Sequence, residues 1–481
     1  MILKRLYEEK LAHASFLVGC PATGEAIVID PNRDVDAYLR LAQAEGVRIT
    51  AVTETHIHAD FVSGSHDLAQ RAGARLYVSG EGGEDGQYAF ANEPNVTLLH
   101  DGSEIVAGSV KLRAMHTPGH TPEHMSFLLI DSAATDQPLG AFTGDFIFVG
   151  DVGRPDLLER AVGKAGSSEP SARELFRSLQ KFKQLPGHLM LWPSHGAGSA
   201  CGKHLGDVPV TTLAYEMLVN KALRITDEQA FVADVLGGQV EPPRYFAQMK
   251  RLNKQGAPRV EVFRAPPRLD PESALNVVES GSLVVDLRRA AEFAKGFVPG
   301  VMTLPGGQAF PRWAGTLLPY DRPIYLLAGH ESEIAAGVRD LAMIGIDNVH
   351  GWAVTSTVLR GWAHRHGDPE AIVSVAFADA LAKTANGAGV LLDVRDSDEY
   401  AAGHVPGATH IPLGSLLARS TELPVDRPIA VHCGGGSRSL TALSLLRRAG
   451  FTHLANVGGG FAEYKAAGLP VETGSPTGTA A

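Results

Sequence analysis

Short apolar or alternating runs punctuate the first half of the chain: SFLVG from Ser15, AIVID from Ala26, VRITAVT from Val47, SVKLRAM from Ser109, MSFLLI from Met125, GAFTG from Gly140 and HLMLWP from His188. Runs of this length, bounded by polar residues and by Gly and Pro, predict strands. Between them, DVDAYLRLAQAEG from Asp34 and ARELFRSLQKFKQL from Ala172 repeat apolar residues at intervals of three and four, the period of an amphipathic helix. Strands and helices in this number, within one stretch of roughly 250 residues, predict two packed sheets flanked by helices.

The rest of the chain is an internal repeat. Asp286, Arg288, Glu292, Gly296, Pro299, Gly300 and Pro305 recur 107 positions later as Asp393, Arg395, Glu399, Gly403, Pro406, Gly407 and Pro412. A second block, DRPIYLLAG from Asp321, returns 105 positions later as DRPIAVHCG from Asp426. Each copy reads as a short buried strand, a helix, a Gly-Pro turn, a second buried strand and a helix, which predicts a small α/β domain with a mostly parallel sheet. A period this long is domain-sized and excludes a solenoid. Loop-like stretches at Gly256–Pro258, APPRLDPE from Ala265 and GDPE from Gly367 place the domains at 1–255, 262–365 and 370–475, with a small, polar tail TGSPTGTAA expected to be disordered.

Composition narrows the function. Acidic residues outnumber basic ones 53 to 43 for a net charge of −10, so no nucleic-acid partner is expected. No window approaches 18 consecutive apolar residues, and Glu8, Glu9 and Lys10 interrupt the place where a signal peptide needs its apolar core, so neither membrane nor export is expected. Three cysteines in 481 residues form no disulfide framework, and a reducing, cytoplasmic setting is the expectation.

Four polar motifs follow directly on predicted strands: His56-Ile57-His58-Ala59-Asp60, His116-Thr117-Pro118-Gly119-His120, Thr143-Gly144-Asp145 and Pro193-Ser194-His195-Gly196. Side chains at strand ends are held by a rigid scaffold while their heads reach a common cleft, and imidazoles with carboxylates suit borderline divalent ions. A single histidine elsewhere, such as His66, His188, His204 or His453, carries no such meaning. The ordered set resembles the metallo-β-lactamase superfamily, which implies an α/β fold of the αββα sandwich type. Dinuclear members of that superfamily carry a histidine where this chain has Phe61, and a phenyl ring cannot ligate a metal; one ion is therefore expected.

Within the superfamily, THIHADF, TPGHTPEHMSF, FTGDFIFVGDVGRPDL and PSHGAGSACG resemble the persulfide dioxygenases. That resemblance implies one iron(II) on His56, His120 and Asp145, with His58, Asp60 and His195 around the site but off the metal. Arg154 and Asp156 would orient the site or anchor substrate. Expected reactants are a low-molecular-weight thiol persulfide and dioxygen, with sulfite as product.

Cys433 ends the buried run PIAVH and opens Cys433-Gly434-Gly435-Gly436-Ser437-Arg438, followed by the helical SLTALSLLRRAG. Glycines let amide groups curl round a sulfur, and a helix N-terminus with Arg438 adds positive potential, which favours a thiolate or a bound persulfide. The loop and repeat resemble rhodanese sulfurtransferases, implying two rhodanese-like α/β domains and sulfur exchange on Cys433 with sulfite or thiosulfate. Copy one has Ala328 in place of Cys433 and Glu333 in place of Arg438, so it is expected to be silent. The whole arrangement is similar to the CstB-like persulfide dioxygenase–sulfurtransferase fusions. These imply a role for Cys201 in handling sulfur near the iron, a cysteine at the position of Cys20, and a homo-oligomer, dimer or tetramer. The competing expectation is a zinc thioester hydrolase of the glyoxalase II type with accessory rhodanese domains; a persulfide-sensing or sulfur-carrying partner protein with a structural metal is a third.

Overall fold

The structure, a computed structural model, describes residues 1–239, 241–260, 263–384 and 387–474. The expected boundaries at 262 and 475, and the tail beyond 474, lie outside the described residues. The chain divides into two compact units, Met1–Glu261 with Ala342–Gly345, and Val262–Leu341 with Ile346–Ala481. Among the described residues, no helix is long and apolar enough to cross a membrane.

The first unit holds two six-stranded sheets. One runs in sequence order through β1 (Ile2–Glu8), β2 (His13–Cys20), β3 (Glu25–Ile29), β4 (Arg48–Thr53), β5 (Arg75–Ser79) and β6 (Val96–Leu99). The other runs in reverse order from β12 (Thr211–Thr212) through β11 (Met190–Pro193), β10 (Gly140–Gly144), β9 (Met125–Asp131) and β8 (Val110–His116) to β7 (Glu104–Ala107). Alternate residues of both sheets, among them Phe16, Ile27, Leu112, Phe127, Phe142 and Trp192, meet in the central core. On the outer faces, α1 (Val35–Ala44) and α2 (Ser65–Ala72) bury Tyr38 and Leu68 against the first sheet, and α3 (Ser168–Phe182) buries Leu175, Leu179 and Phe182 against the second. The layers are α/β/β/α, as the strand and helix periods predict. All seven predicted strands form; β1 was not among them, because ILKRLYE interleaves charges with apolar residues. It forms as an edge strand paired antiparallel to β2 along its whole length.

The second unit holds two parallel sheets, one per repeat. Copy one orders its strands as Met302–Thr303, Leu283–Asp286, Ile324–Ala328 and Val349–Val354; copy two as Ser374–Val375, Leu454–Val457, Ile429–His432, Val390–Asp393 and Thr409–His410. The helix α4 (Ser437–Arg448), which follows the cysteine loop, buries every residue from Ser439 to Leu446. It lies on its own strands and also on Met302–Thr303 of copy one, where the Thr303 amide donates to Ser444 Oγ at 3.2 Å. A helix buried all round from Ser439 to Leu446, although only five of its twelve positions are apolar, means that both copies build its surroundings.

Gly119 sits at φ +143 with its α-carbon pressed on α3: a β-carbon there would lie 2.4 Å from Leu175 Cβ and 2.5 Å from its Cα. Gly119→Ala is therefore expected to destabilise the first unit by about 1–3 kcal/mol, seen as a lower midpoint in differential scanning calorimetry. Gly46→Ala, at φ +67 with open space around it, should shift the midpoint less.

Candidate metal centre and sulfur-transfer loop

The ends of β3, β4, β8, β10 and β11 converge at one edge of the sandwich, and each is followed by a polar residue of the site. His56, His120 and Asp145 are buried there, with donor atoms all within 4.8 Å of one another. Asp145 Oδ2 lies 3.4 Å from His120 Nε2 and 3.9 Å from His56 Nε2. Neither oxygen of Asp145 has a hydrogen-bond partner, although the residue is wholly buried. A buried carboxylate without donors is costly unless a cation meets it, so this donor set fits a metal ion.

Neighbouring groups fix which nitrogen each imidazole presents. Thr55 Oγ1 donates to Asp30 Oδ2 at 3.0 Å and so accepts from His56 Nδ1, also at 3.0 Å, leaving His56 Nε2 bare toward the centre. His120 Nδ1 donates to the Arg154 carbonyl at 2.9 Å, which bares its Nε2 in the same way. Outer hydrogen bonds of this kind set the tautomer of metal-binding histidines. Burial holds His56 and His120 well on the neutral side, His120 down at about 3, while it pushes Asp145 up to about 6.

The remaining expected residues take distinct places. His58 donates through Nε2 to Asp30 at 3.2 Å; that carboxylate outweighs burial and raises His58 to about 9. Asp60 and His195 lie 3.2 Å apart on the far side of Asp145. Arg154 is fully buried and clasps Asp156 with two hydrogen bonds of 2.7 and 2.8 Å, while its carbonyl orients His120 and its amide donates to the Cys201 carbonyl. It thus positions the site through its backbone. Gly153 makes that turn close enough, since a β-carbon there would fall 1.8 Å from the Asp145 carbonyl oxygen.

Three residues escaped the sequence reading. Asp30, at the end of β3 with φ 51, accepts from the Thr55 amide and hydroxyl, from Ser194 and from His58. His124 accepts the Asp145 amide at Nε2 and stacks on His56, so it braces the ligand loop. His13 lies buried against Phe61 with ring centroids 3.9 Å apart. The one available signal was the second histidine of TPGHTPEH; an isolated Asp after a strand carries none.

In copy two, Cys433 Sγ accepts the Gly436 amide at 3.1 Å, and Gly434, Gly435 and Ser437 complete the turn into α4. Arg438 is not free to act on the sulfur alone: its guanidinium pairs with Glu399, one bond at 2.8 Å, and lies 3.7 Å from Asp396. It faces a cavity of about 470 Å³, whose walls include Ser437, Glu399, Arg312 and Trp313. In copy one the corresponding loop is filled from within. Glu333 accepts the amides of Gly329 at 2.8 Å and His330 at 3.2 Å, so a carboxylate occupies the cradle that would otherwise receive an anion. Cys20 is elsewhere, in the core between the sheets of the first unit, with Sγ 3.4 Å from Ser109 Oγ.

A metallo-beta-lactamase superfamily profile matches residues 9–195, and a rhodanese-like domain profile matches residues 377–467. A crystal structure described as a metallo-beta-lactamase from Staphylococcus aureus subsp. aureus COL is 38% identical, with a TM-score of 0.66, over 74% of this chain and 99% of that one. The chain belongs to the metallo-beta-lactamase superfamily. Two curated relatives of this superfamily unit differ in their chemistry. The mitochondrial persulfide dioxygenase ETHE1 of Bos taurus is 26% identical over 232 residues, covering 48% of this chain and 78% of that protein. The hydroxyacylglutathione hydrolase of Methylococcus capsulatus is 28% identical over 258 residues, covering 52% and 90%. The superfamily's metal-binding His and Asp positions are present here, and iron and zinc both suit them.

Because Thr55 holds the His56 tautomer and is itself wholly buried, Thr55→Val should weaken metal binding about 10- to 100-fold, measured by competition with a chelator. His120→Ala should leave the purified protein with little bound metal in elemental analysis.

Proposed function

We propose that the protein is a bifunctional sulfur-oxidising enzyme, a mononuclear iron(II) persulfide dioxygenase joined to a thiosulfate sulfurtransferase, with domains at 1–255, 262–365 and 370–475. The observation that carries the first half is the buried set of His56, His120 and Asp145, two imidazoles and one carboxylate with their bare atoms converging. That donor set suits non-haem ferrous oxygenases, and the similarity to ETHE1 supports a persulfide as substrate.

Held by His56, His120 and Asp145, iron(II) would supply the redox chemistry that activates dioxygen toward the persulfide sulfur. The net reaction takes a persulfide, dioxygen and water to a thiol, sulfite and two protons. Around it, Thr55 and Arg154 keep the imidazoles in their binding tautomers, and burial keeps bulk water away. Phe61, wholly buried beside His58, adds an apolar wall where the superfamily's dinuclear members place a ligand.

In the second half, the Cys433 sulfur attacks the outer sulfur of thiosulfate. The sulfur–sulfur bond breaks, sulfite leaves with the electron pair, and Cys433 keeps a persulfide; the reverse step returns that sulfur to sulfite. The Gly436 amide, already donating to Sγ, stabilises the sulfur anion in either direction. Copy one, with Ala328 and the inward-turned Glu333, takes no part in transfer.

The similarity to hydroxyacylglutathione hydrolase favours a second reading, a zinc thioester hydrolase. An oxygen electrode separates the two: iron-loaded protein given glutathione persulfide should consume oxygen and form sulfite. Hydrolysis of S-lactoylglutathione without oxygen uptake would establish the hydrolase. Cys433→Ser should abolish thiosulfate formation from sulfite while oxygen uptake stays close to that of the unmodified protein.

A further inference from the structure

A buried lysine stands beside the metal centre without a partner. Lys250 belongs to the helix Phe246–Gln255, whose inward face also carries Phe246, Met249 and Asn253. Asn253 fastens that helix to the metal loop. Its Nδ2 donates to the carbonyls of His58 and Phe61 at 2.8 and 2.7 Å, and its Oδ1 accepts the Ser63 amide at 2.9 Å. Lys250 lies one turn earlier on the same face, and its charge is felt at His120. The residue is 8% exposed, and Nζ is buried with no hydrogen bond. A lysine stem is long and flexible enough to carry its ammonium out to water; this one stays inside.

Most charges around it are already engaged. Asp85 pairs with Lys164, and Lys254 donates to the Glu84 carbonyl at 2.6 Å. Glu123 is the exception. Its Oε1 accepts the amide of Ile57, the residue between His56 and His58, at 2.9 Å, while its Oε2 is buried and has no partner. Lys250 and Glu123 attract each other, yet among the described residues they do not close into an ion pair. One is held by the helix Phe246–Gln255, the other by the turn that carries His120. A buried ammonium and a buried carboxylate oxygen, each unsatisfied and held apart by separate elements, are costly alone. Together they are complementary to a group that brings both charges.

We propose that Lys250 and Glu123 form the site that recognises the thiol carrier, and that it takes a zwitterionic α-amino-acid end, carboxylate on Lys250 Nζ and ammonium on Glu123 Oε2. A few convergent polar groups of this kind fix orientation in an otherwise enclosed site. A neutral thiol offers neither handle. A nucleotide thiol brings phosphates but no ammonium, and its excess negative charge is repelled by Glu123. The inference rests on the reading that the first unit acts on a low-molecular-weight thiol derivative; whether the reacting bond is a persulfide or a thioester does not alter it.

The test uses the full-length, metal-loaded protein. In isothermal titration with reduced glutathione, whose γ-glutamyl end is an α-amino acid, Lys250→Met should weaken binding about 10- to 100-fold, the loss expected when a charged hydrogen-bond partner is removed. Glu123→Gln keeps an acceptor for the Ile57 amide and should weaken binding in the same direction. Binding of 2-mercaptoethanol should be indifferent to both changes. In the oxygen electrode, Lys250→Met should raise the KM for glutathione persulfide by the same factor. Elemental analysis of both variants should show the metal content of the unmodified protein; loss of metal from both would make the pair a brace of the ligand loops and overturn the proposal. Glutathione binding that survives both substitutions, an equal loss for 2-mercaptoethanol, or coenzyme A bound more tightly than glutathione overturns it as well. Glutathione binding that depends on Lys250, in a protein that consumes no oxygen with a persulfide, refutes the dioxygenase reading and leaves this one standing. Oxygen uptake with glutathione binding indifferent to Lys250 does the reverse.

Discussion

A carboxylate buried with both oxygens unpaired is the constraint on which the first unit turns. Asp145 sits where five strand ends meet, and moving such an ion out of water carries a penalty of several kcal/mol unless charge of the opposite sign arrives. No lysine or arginine forms an ion pair with Asp145 among the described residues; three imidazoles approach it, and two of them, His56 and His120, are held neutral by burial. The corner is built around a charge that the polypeptide leaves for a metal to supply, so metal content and local stability are coupled.

Asp30 plays the opposite part. It too is buried, but it gathers hydrogen bonds from Thr55 and His58 in the loop after β4 and from Ser194 after β11. It therefore ties the ends of β3, β4 and β11 together and, through Thr55, sets the His56 tautomer. One carboxylate is fully satisfied so that the other, in the next layer, can stay bare.

The readable part of this site was the part written in spacing. His56, His120 and Asp145 each follow a strand within short, ordered motifs, and the architecture of two sheets between helices followed from period alone. Asp30 was illegible because one acid after a strand has no spacing, and its meaning arises only when loops far apart in sequence converge. Cys201 was legible in part: its place shortly after His195 put it near the metal site, but not which carboxylates it would border. Arg438 shows a third limit. The sequence offers a cation beside Cys433, but the acid that pairs with it, Glu399, lies 39 positions away. The replacement of Cys433 and Arg438 by Ala328 and Glu333 in copy one was legible, whereas the way Glu333 folds back into its own loop was not.

Enclosure of α4 gives the first copy a structural part in the second. That helix carries the active loop at its start and draws its coat from both copies, down to a hydroxyl that caps an amide of the other sheet. Deleting the first copy would strip one side of the very element that follows Cys433. The first copy is thus half of the mould in which the helix behind Cys433 is cast.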